Sequence, residues 1–380
     1  EVTVMRSARY FLLALLLLLA GCSRPSLSRT AGERQDAALG APARGTLQVA
    51  FLDVGQGDST LVQAPGGTSI LIDGGPPEAG PRVIDAIRRA GIKKLDWVLG
   101  SHPHSDHIGG LVDVFREIPF ERVLDPGYNH GTALQRTYLQ LIKEKGAKAI
   151  LARSGQTYDL GSGAQLQILA PQDPLLKGTD SDPNNNSIVA RLVFGGARFL
   201  FTGDMEEDER ARLLKSHSPA ELQAQVLKVA HHGSRNGTDP EFLRVVRPEY
   251  AVISCAAHND YGHPHPEALQ ALQSAGVPVL RTDQRGTIVF TTDGKQLRLQ
   301  GSPPVAVNGK AAAAPAAPSA REGRVIGNSA SRVYHAPECP ALPSPERQVL
   351  FSSAAEAEKA GYHHIKPVSN SAVPSPPQER

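Results

Sequence analysis

Between residues 46 and 301 short apolar runs alternate with segments of helical spacing. Residues 47–54, 59–63 and 68–72 read as three strands, with Pro65-Gly66-Gly67 as the turn between the last two. Residues 81–90 put Val83, Ile84 and Ile87 on one helical face. Residues 95–99 are again strand-like, 109–115 helical and 122–124 a strand; 133–145 follows as a helix. Beyond it, 148–151, 165–169, 187–194 and 198–201 read as strands, 206–215 as a helix with an acidic first turn, and 226–230 as a strand. The spacing then predicts a helix over 240–246, a strand over 251–255, a helix over 266–275, and strands over 277–281, 287–291 and 296–299. Paired strands mixed with helices argue for a layered α/β domain and against an all-parallel barrel.

The flanking segments differ in kind. Arg6 and Arg9 precede an apolar core, residues 10–20, too short to span a bilayer and shaped like a signal h-region, with translation expected to start at Met5. Residues 23–45 have no periodicity and read as a flexible tether, 302–322 as an Ala/Pro linker. Residues 323–368 recover an ordered pattern, a span too small to be stable on core burial alone, and 369–380 form a polar tail.

Composition changes this picture little. The 380 residues are 40% hydrophobic and 21% charged, with a formal net charge of +2, so no global basic field points to nucleic acid. Three cysteines exclude a disulfide scaffold; Cys255 lies in a strand-like run, where a small buried hydrophobe is expected.

The chemistry is concentrated in one stretch. His102-Pro103-His104-Ser105-Asp106-His107 places three imidazoles and a carboxylate directly after a strand. Such a set suits a borderline divalent metal, and as structure alone each buried imidazole would need its own polar partner. His102 and His104, spaced i and i+2 on an extended segment, point the same way and can serve one ion. Asp106 and His107, at a helix start, can serve a second a few ångströms away. Asp204, after an apolar strand and Gly203, is the expected bridge, and His231 or His232 the expected cap. Two ions about 3.5–4 Å apart clamp an in-line displacement. Asp58 and His263 are candidate substrate contacts. His265, facing the same side of its loop as His263, and His232 are candidate proton donors to a leaving group. Lys228 can line a phosphate groove but more often a strand lysine snorkels to the surface. His130, His217 and His258 lack companions and read as surface residues.

The run from His102 to His107, with Asp73 upstream and Asp204 downstream, resembles the metallo-β-lactamase superfamily over residues 46–301. The resemblance implies a four-layer αββα sandwich and a dinuclear hydrolase attacking with a metal-bound hydroxide. Its implied ligands are His102, His104, Asp106, His107, Asp204 and His231, Asp106 also being catalytic, with Asp73 behind them. Leu52-Asp53-Val54-Gly55-Gln56-Gly57-Asp58-Ser59, Leu71-Ile72-Asp73-Gly74-Gly75, His231-His232-Gly233-Ser234 and Tyr261-Gly262-His263-Pro264-His265-Pro266 are similar to the hydrolase domain of ComEC-class competence proteins. In that group the domain is thought to degrade the DNA strand that is not taken up. Phosphorylcholine esterase domains resemble the pattern too. The histidine that many superfamily members carry before the bridging aspartate is absent; the region reads Asp182-Pro183-Asn184-Asn185-Asn186, and Asn186 is the candidate there for a substrate contact. The first metal site is therefore expected to be open, with Zn2+ favoured and Mn2+ admitted.

The expected substrate is a phosphodiester, single-stranded DNA included, and no stable protein partner is expected. The alternatives are a cell-envelope ester or lactam hydrolase and a surface binding protein with a vestigial site. Leu19-Ala20-Gly21-Cys22 resembles a bacterial lipobox, which implies export and a membrane anchor through a lipidated Cys22, with residues 1–22 as the signal peptide. The segment around His335 and Cys339 resembles the small zinc module of the Ada repair protein, an α+β module, but lacks that family's Cys-x-x-Cys pair; either a further Zn2+ at His335 and Cys339 with His363 or His364, or a module that has lost its zinc, is expected.

Overall fold

The computed structural model describes residues 39–301, 305–306, 325–329, 332–335, 347–351 and 354–364. The signal-like segment, Cys22, Cys339 and most of the tether, linker and tail lie outside the described residues.

The chain enters through β1 (Leu47–Phe51), β2 (Thr60–Gln63) and β3 (Ser69–Ile72), an antiparallel meander. From β3 it continues in parallel through β4 (Leu95–Leu99), β5 (Phe120–Asp125) and β6 (Lys148–Leu151). Parallel neighbours need crossovers. These are α1 (Gly80–Arg89), α2 (Ser105–Ile108) with α3 (Leu111–Glu117), and α4 (Ala133–Glu144). The second sheet repeats the plan. Antiparallel β7 (Thr157–Gly161), β8 (Ala164–Ala170), β9 (Val189–Phe194) and β10 (Ala197–Phe201) lead into parallel β11 (Val226–Lys228), β12 (Tyr250–Ile253) and β13 (Val279–Arg281). Its connections carry α5 (Glu207–Ser216), α6 (Pro219–Leu222), α7 (Pro240–Val246) and α8 (Pro266–Ser274). After α9 (Thr282–Arg285) the chain returns to the first sheet as β14 (Ile288–Thr292), β15 (Gln296–Leu299) and β16 (Val305–Ala306).

Both sheets bury two faces, and the strands sort their side chains by the period of two. Val49, Phe51, Val62, Ile70, Leu166, Leu192, Phe199 and Val226 fill one cluster between the sheets. Their neighbours Ala50, Leu61 and Leu71 pack under the first helical layer; Val189, Leu200, Leu227 and Ala251 pack under the second. This is the four-layer αββα sandwich. Beyond it, β17 (Val325–Asn328), β18 (Val333–His335), β19 (Gln348–Phe351) and β20 (His363–His364) form a separate four-stranded sheet with α10 (Ala354–Lys359). Val325, Tyr334, Phe351, Ala357 and Tyr362 make its core.

Several elements differ from the sequence pattern: the one-turn helices α6 and α9 were not anticipated, and β16 lies in the stretch expected to be linker. β7 was not anticipated: it is a largely exposed edge strand whose pairing with β8 decides its conformation. The strand expected to run to Ala230 stops at Lys228 and gives way to a tight turn over Ala230–Gly233.

Glu209 carries a prediction about stability. Its side chain is buried in the first turn of α5 with Oε2 lacking a hydrogen-bond partner. Burial pushes its carboxyl well above the usual range. A raised acid contributes stability below its unfolded pKa of about 4.3, lost as pH rises through the folded value. Glu209→Gln should therefore leave the melting temperature near that of the wild type at pH 4 and raise it at pH 8. A variant no more stable at pH 8 would contradict this placement.

Candidate metal centre and its cleft

The site lies at the carboxyl ends of the parallel strands of both sheets, where loops can converge without interrupting a ladder. β3 delivers Asp73, β4 the loop from His102 to His107, β10 Asp204, β11 His231 and His232, and β12 Ser254. Local backbone choices fix the approach. Asp73, His231 and His232 have φ of 57°, 51° and 52°. Such left-handed geometry costs side-chain-bearing residues on the order of 1–3 kcal/mol each and persists where the surroundings over-determine it. Gly57 lets the β1–β2 loop press against the Asp106 carbonyl; a Cβ there would collide with it.

His102 Nε2 and His104 Nδ1 converge to 3.1 Å, and Asp204 Oδ2 lies 3.8 Å from His102 Nε2. On the other side His107 Nε2 is 3.1 Å from Asp204 Oδ1 and 3.9 Å from Asp106 Oδ2. His232 Nε2 is 3.2 Å from Asp106 Oδ2 and 3.5 Å from Asp204 Oδ1. Among the described residues the ligand atoms form three groups: His102/His104/Asp204 and Asp106/His107/Asp204/His232, which share Asp204, and Asp58/Asp73/His107 behind them.

The donor atoms fit divalent metal. His107 Nε2, His232 Nε2 and Asp204 Oδ1 are buried and have no hydrogen-bond partner, which is costly for nitrogens and an oxygen that face one another. A cation among them would satisfy all three. The opposite ring nitrogens are held from behind: His107 Nδ1 meets Asp73 Oδ2 at 2.9 Å, and His232 Nδ1 meets the Ser254 carbonyl at 2.9 Å and Asp58 Oδ1 at 3.3 Å. Such outer partners fix the tautomer that turns Nε2 inward. Asp73 also accepts from the Ser101 amide at 2.7 Å, tying the carboxylate to the loop it orients.

The charges are strongly coupled. Burial depresses His107 and His232, but the carboxylates around them outweigh it and raise both well above the usual histidine value. Burial and the neighbouring His107 hold His102 well below it. Burial works against an ionised Asp204, yet His107, His232 and His231 keep its carboxyl well below the ordinary range. Asp106 is likewise held low, burial being overcome by His107 and His232.

Four assignments drawn from the sequence change. His232 joins Asp106, His107 and Asp204, whereas His231 falls outside all three groups: its Nδ1 meets Glu206 Oε1 at 3.1 Å and its Nε2 sits 3.7 Å from Asp204 Oδ2. Of the two histidines left open as the cap, His232 is thus the one that sits with the second set of ligand atoms. Asn186 does not line the cleft. Its amide is spent on Leu176 N, Leu176 O and Asp182 O, which brace the loop. Asp58 does not line the cleft; it is buried, with Lys228 Nζ 2.7 Å from Oδ2, and Lys228 is itself buried rather than snorkelling. His265 stands at the start of α8 and accepts from the Arg235 amide at 3.1 Å, outside the cleft lining. His263 does line the cleft, and burial with three neighbouring imidazoles lowers it to about 4.

The cleft over the centre encloses about 470 Å³. Residues the sequence reading missed help to form it. Asn184 lines it and donates to Glu206 Oε1 at 2.8 Å. His130 also lines it, with its ring 5.2 Å from that of His104. His130 comes from the β5–α4 loop and carried no local signal. The neighbouring Asn185 accepts from the Glu209 amide at the start of α5. At the C-terminus, Cys339 lies outside the described residues and His335 is described only as backbone of β18.

Asp73→Asn should lower metal affinity about 10- to 100-fold, because the amide orients His107 less well. Competition with a chromogenic chelator measures this; unchanged affinity would remove Asp73 from its orienting role.

A family model described as the metallo-beta-lactamase superfamily matches residues 52–258, over half of the chain. The chain is 32% identical over 260 residues to ComE operon protein 3 of Bacillus subtilis (strain 168), covering 64% of this chain and 33% of that protein. It is 30% identical over 242 residues to competence protein ComA of Neisseria gonorrhoeae, covering 64% and 32%. The chain thus spans about a third of the length of these curated relatives. Among solved structures, Zn(2+)-bound PqqB from Methylobacterium extorquens aligns at a TM-score of 0.42 and 12% identity, over 63% of this chain and 99% of that one. Sequence match, layered sandwich and convergent His/Asp centre agree: the chain belongs to the metallo-beta-lactamase superfamily, a family of metal-dependent hydrolases.

Proposed function

We propose that this chain is a phosphodiesterase that cleaves nucleic acid strands, single-stranded DNA foremost. The observation that carries the reading is the pair of ligand groups sharing Asp204 beneath an open cleft, an arrangement suited to clamping both oxygens of a phosphoryl displacement. The likeness to proteins named for competence supports a DNA substrate. His102, His104 and Asp204 would hold one divalent cation, and Asp106, His107, Asp204 and His232 the other. When bound, these cations would offset charge on the phosphoryl oxygens and lower the pKa of water from about 15.7 toward about 7.

The chain's own residues supply the rest. Asp73, Ser254 and Asp58 keep the ligand imidazoles facing inward. Glu206 holds His231 by Nδ1, which leaves Nε2 at the cleft wall to pass a proton to a departing oxygen. The lipobox-like Cys22 places this activity, in our reading, on an exported protein anchored at a membrane surface. Among the described residues no helix is long and apolar enough to cross a membrane.

The test is hydrolysis by the protein loaded with Mn2+ or Zn2+, on single-stranded oligonucleotides, bis(p-nitrophenyl) phosphate and nitrocefin. Cleavage of the first two is expected. Turnover of nitrocefin alone would replace this reading with that of a lactam hydrolase.

A further inference from the structure

We propose that Tyr261 is a stacking platform for a nucleobase beside the scissile phosphodiester, an inference that rests on the phosphodiesterase reading above. Four large apolar side chains are exposed among the described residues: Leu139, Leu151, Leu350 and Tyr261. Of these, Tyr261 alone lines the cleft. It is 66% exposed, although its ring is stacked on His263 with centroids 5.6 Å apart and planes at 23°. One face of the phenol is thus backed by an imidazole, and most of the remaining ring is open to solvent at the mouth of the site.

The platform is held in place. Asn259 donates to the Ala256 carbonyl at 3.0 Å and to the His263 carbonyl at 2.7 Å, and accepts from the His263 amide at 2.9 Å. His263 in turn packs edge-on against His265 at 4.8 Å and His231 at 5.3 Å. The loop carrying Tyr261 is therefore braced against the metal centre, and a ring ordered in advance loses little entropy when a ligand covers it.

The lining also limits the other ways a strand could be held. Single-stranded nucleic acid is usually gripped by a basic groove along its phosphates and by aromatic rings under its bases. Among the described residues lining this cleft there is no lysine or arginine. The first means is missing there, and the exposed phenol supplies the second. A tyrosine that merely shielded His263 from water would show no preference for a base.

The experiment compares two fluorescein-labelled strands of equal length, oligo(dT) and an abasic strand of tetrahydrofuran residues with the same phosphates. Binding to the full chain without added metal is read by anisotropy, and cleavage after metal loading by gel. Tyr261→Ala is expected to weaken binding of oligo(dT) about 5- to 150-fold, the effect of losing one stacked base. The abasic strand should bind wild type and variant alike, and Tyr261→Phe should match the wild type on both strands. Equal affinity of wild type and Tyr261→Ala for oligo(dT), or an equal loss on both strands, overturns the platform while leaving the phosphodiesterase reading intact. Failure of the wild type to cleave either strand overturns that reading and the platform with it.

Discussion

Replacing Asp204 by asparagine is expected to abolish hydrolysis, with a loss of at least about 10³-fold, while the chain remains folded. Asp204 is the one side chain common to the His102 and the His232 ligand groups, with Oδ1 facing His107 and His232 and Oδ2 facing His102 and His231. An amide keeps the shape but brings no negative charge, and its nitrogen would present hydrogens to imidazole nitrogens that need an acceptor or a cation. Both ions should weaken together, so metal analysis after dialysis should show the loss of two ions, not one. The backbone at this position is anchored independently, since the Asp204 amide donates to Ser187 Oγ, so circular dichroism should be unchanged. A variant that kept two ions and its activity would sink the shared-carboxylate assignment.

The largest effect on stability is expected at Lys228. Its ammonium is buried, 2.7 Å from Asp58 Oδ2 and 2.8 Å from the Val229 carbonyl. Lys228→Met would strand a buried carboxylate, a change that typically costs about 3–5 kcal/mol. For a domain of this size that is a fall of roughly 6–20 °C in melting temperature. Adding Asp58→Asn removes the stranded charge, so the double variant should recover much of the loss, and the cycle of four proteins measures the coupling. Activity should recover less, because Asp58 also lies 3.3 Å from His232 Nδ1; the Ser254 carbonyl alone then orients that ring. Burial works against an ionised Asp58, but Lys228 and His232 keep its carboxyl below the usual value. A depressed acid contributes stability above its unfolded pKa of about 3.9, lost as pH falls through the lower folded value. The wild type should accordingly lose more stability than the double variant on acidification. Identical melting of Lys228→Met and wild type would mean that the pair contributes nothing.

Strands β1 to β5 could be read from near-continuous apolar runs, because away from its edges each sheet is buried on both faces and its strands carry their own hydrophobic signal. The run from His102 to His107 was legible for a related reason: its ligands are local, so spacing along the chain is also spacing in space. Asp204 was legible as a carboxylate at a strand end behind a glycine. The choice between His231 and His232 was not. Adjacent residues on a regular strand point to opposite faces, but both of these adopt left-handed backbone, and Glu206 and Ser254 decide which ring turns where. The same holds for Asn184 against Asn186, neighbours in one short turn whose amides meet Glu206 on one side and the 176–182 loop on the other.

The sequence by itself determined the layered α/β class, the His/Asp chemistry and the membership of Asp204, since each follows from residue type and short-range pattern. The tertiary structure decided which histidine completes the second ligand group, that Asp58 and Lys228 form a buried pair, and that His265 stands apart while Tyr261 and His130 border the cleft. Those outcomes depend on segments far apart in the chain meeting at one sheet edge: the β1–β2 loop reaches β11, and the β12–α8 loop reaches the centre built by β4 and β10. Burial and charge act through distances in space, and only the fold sets those distances.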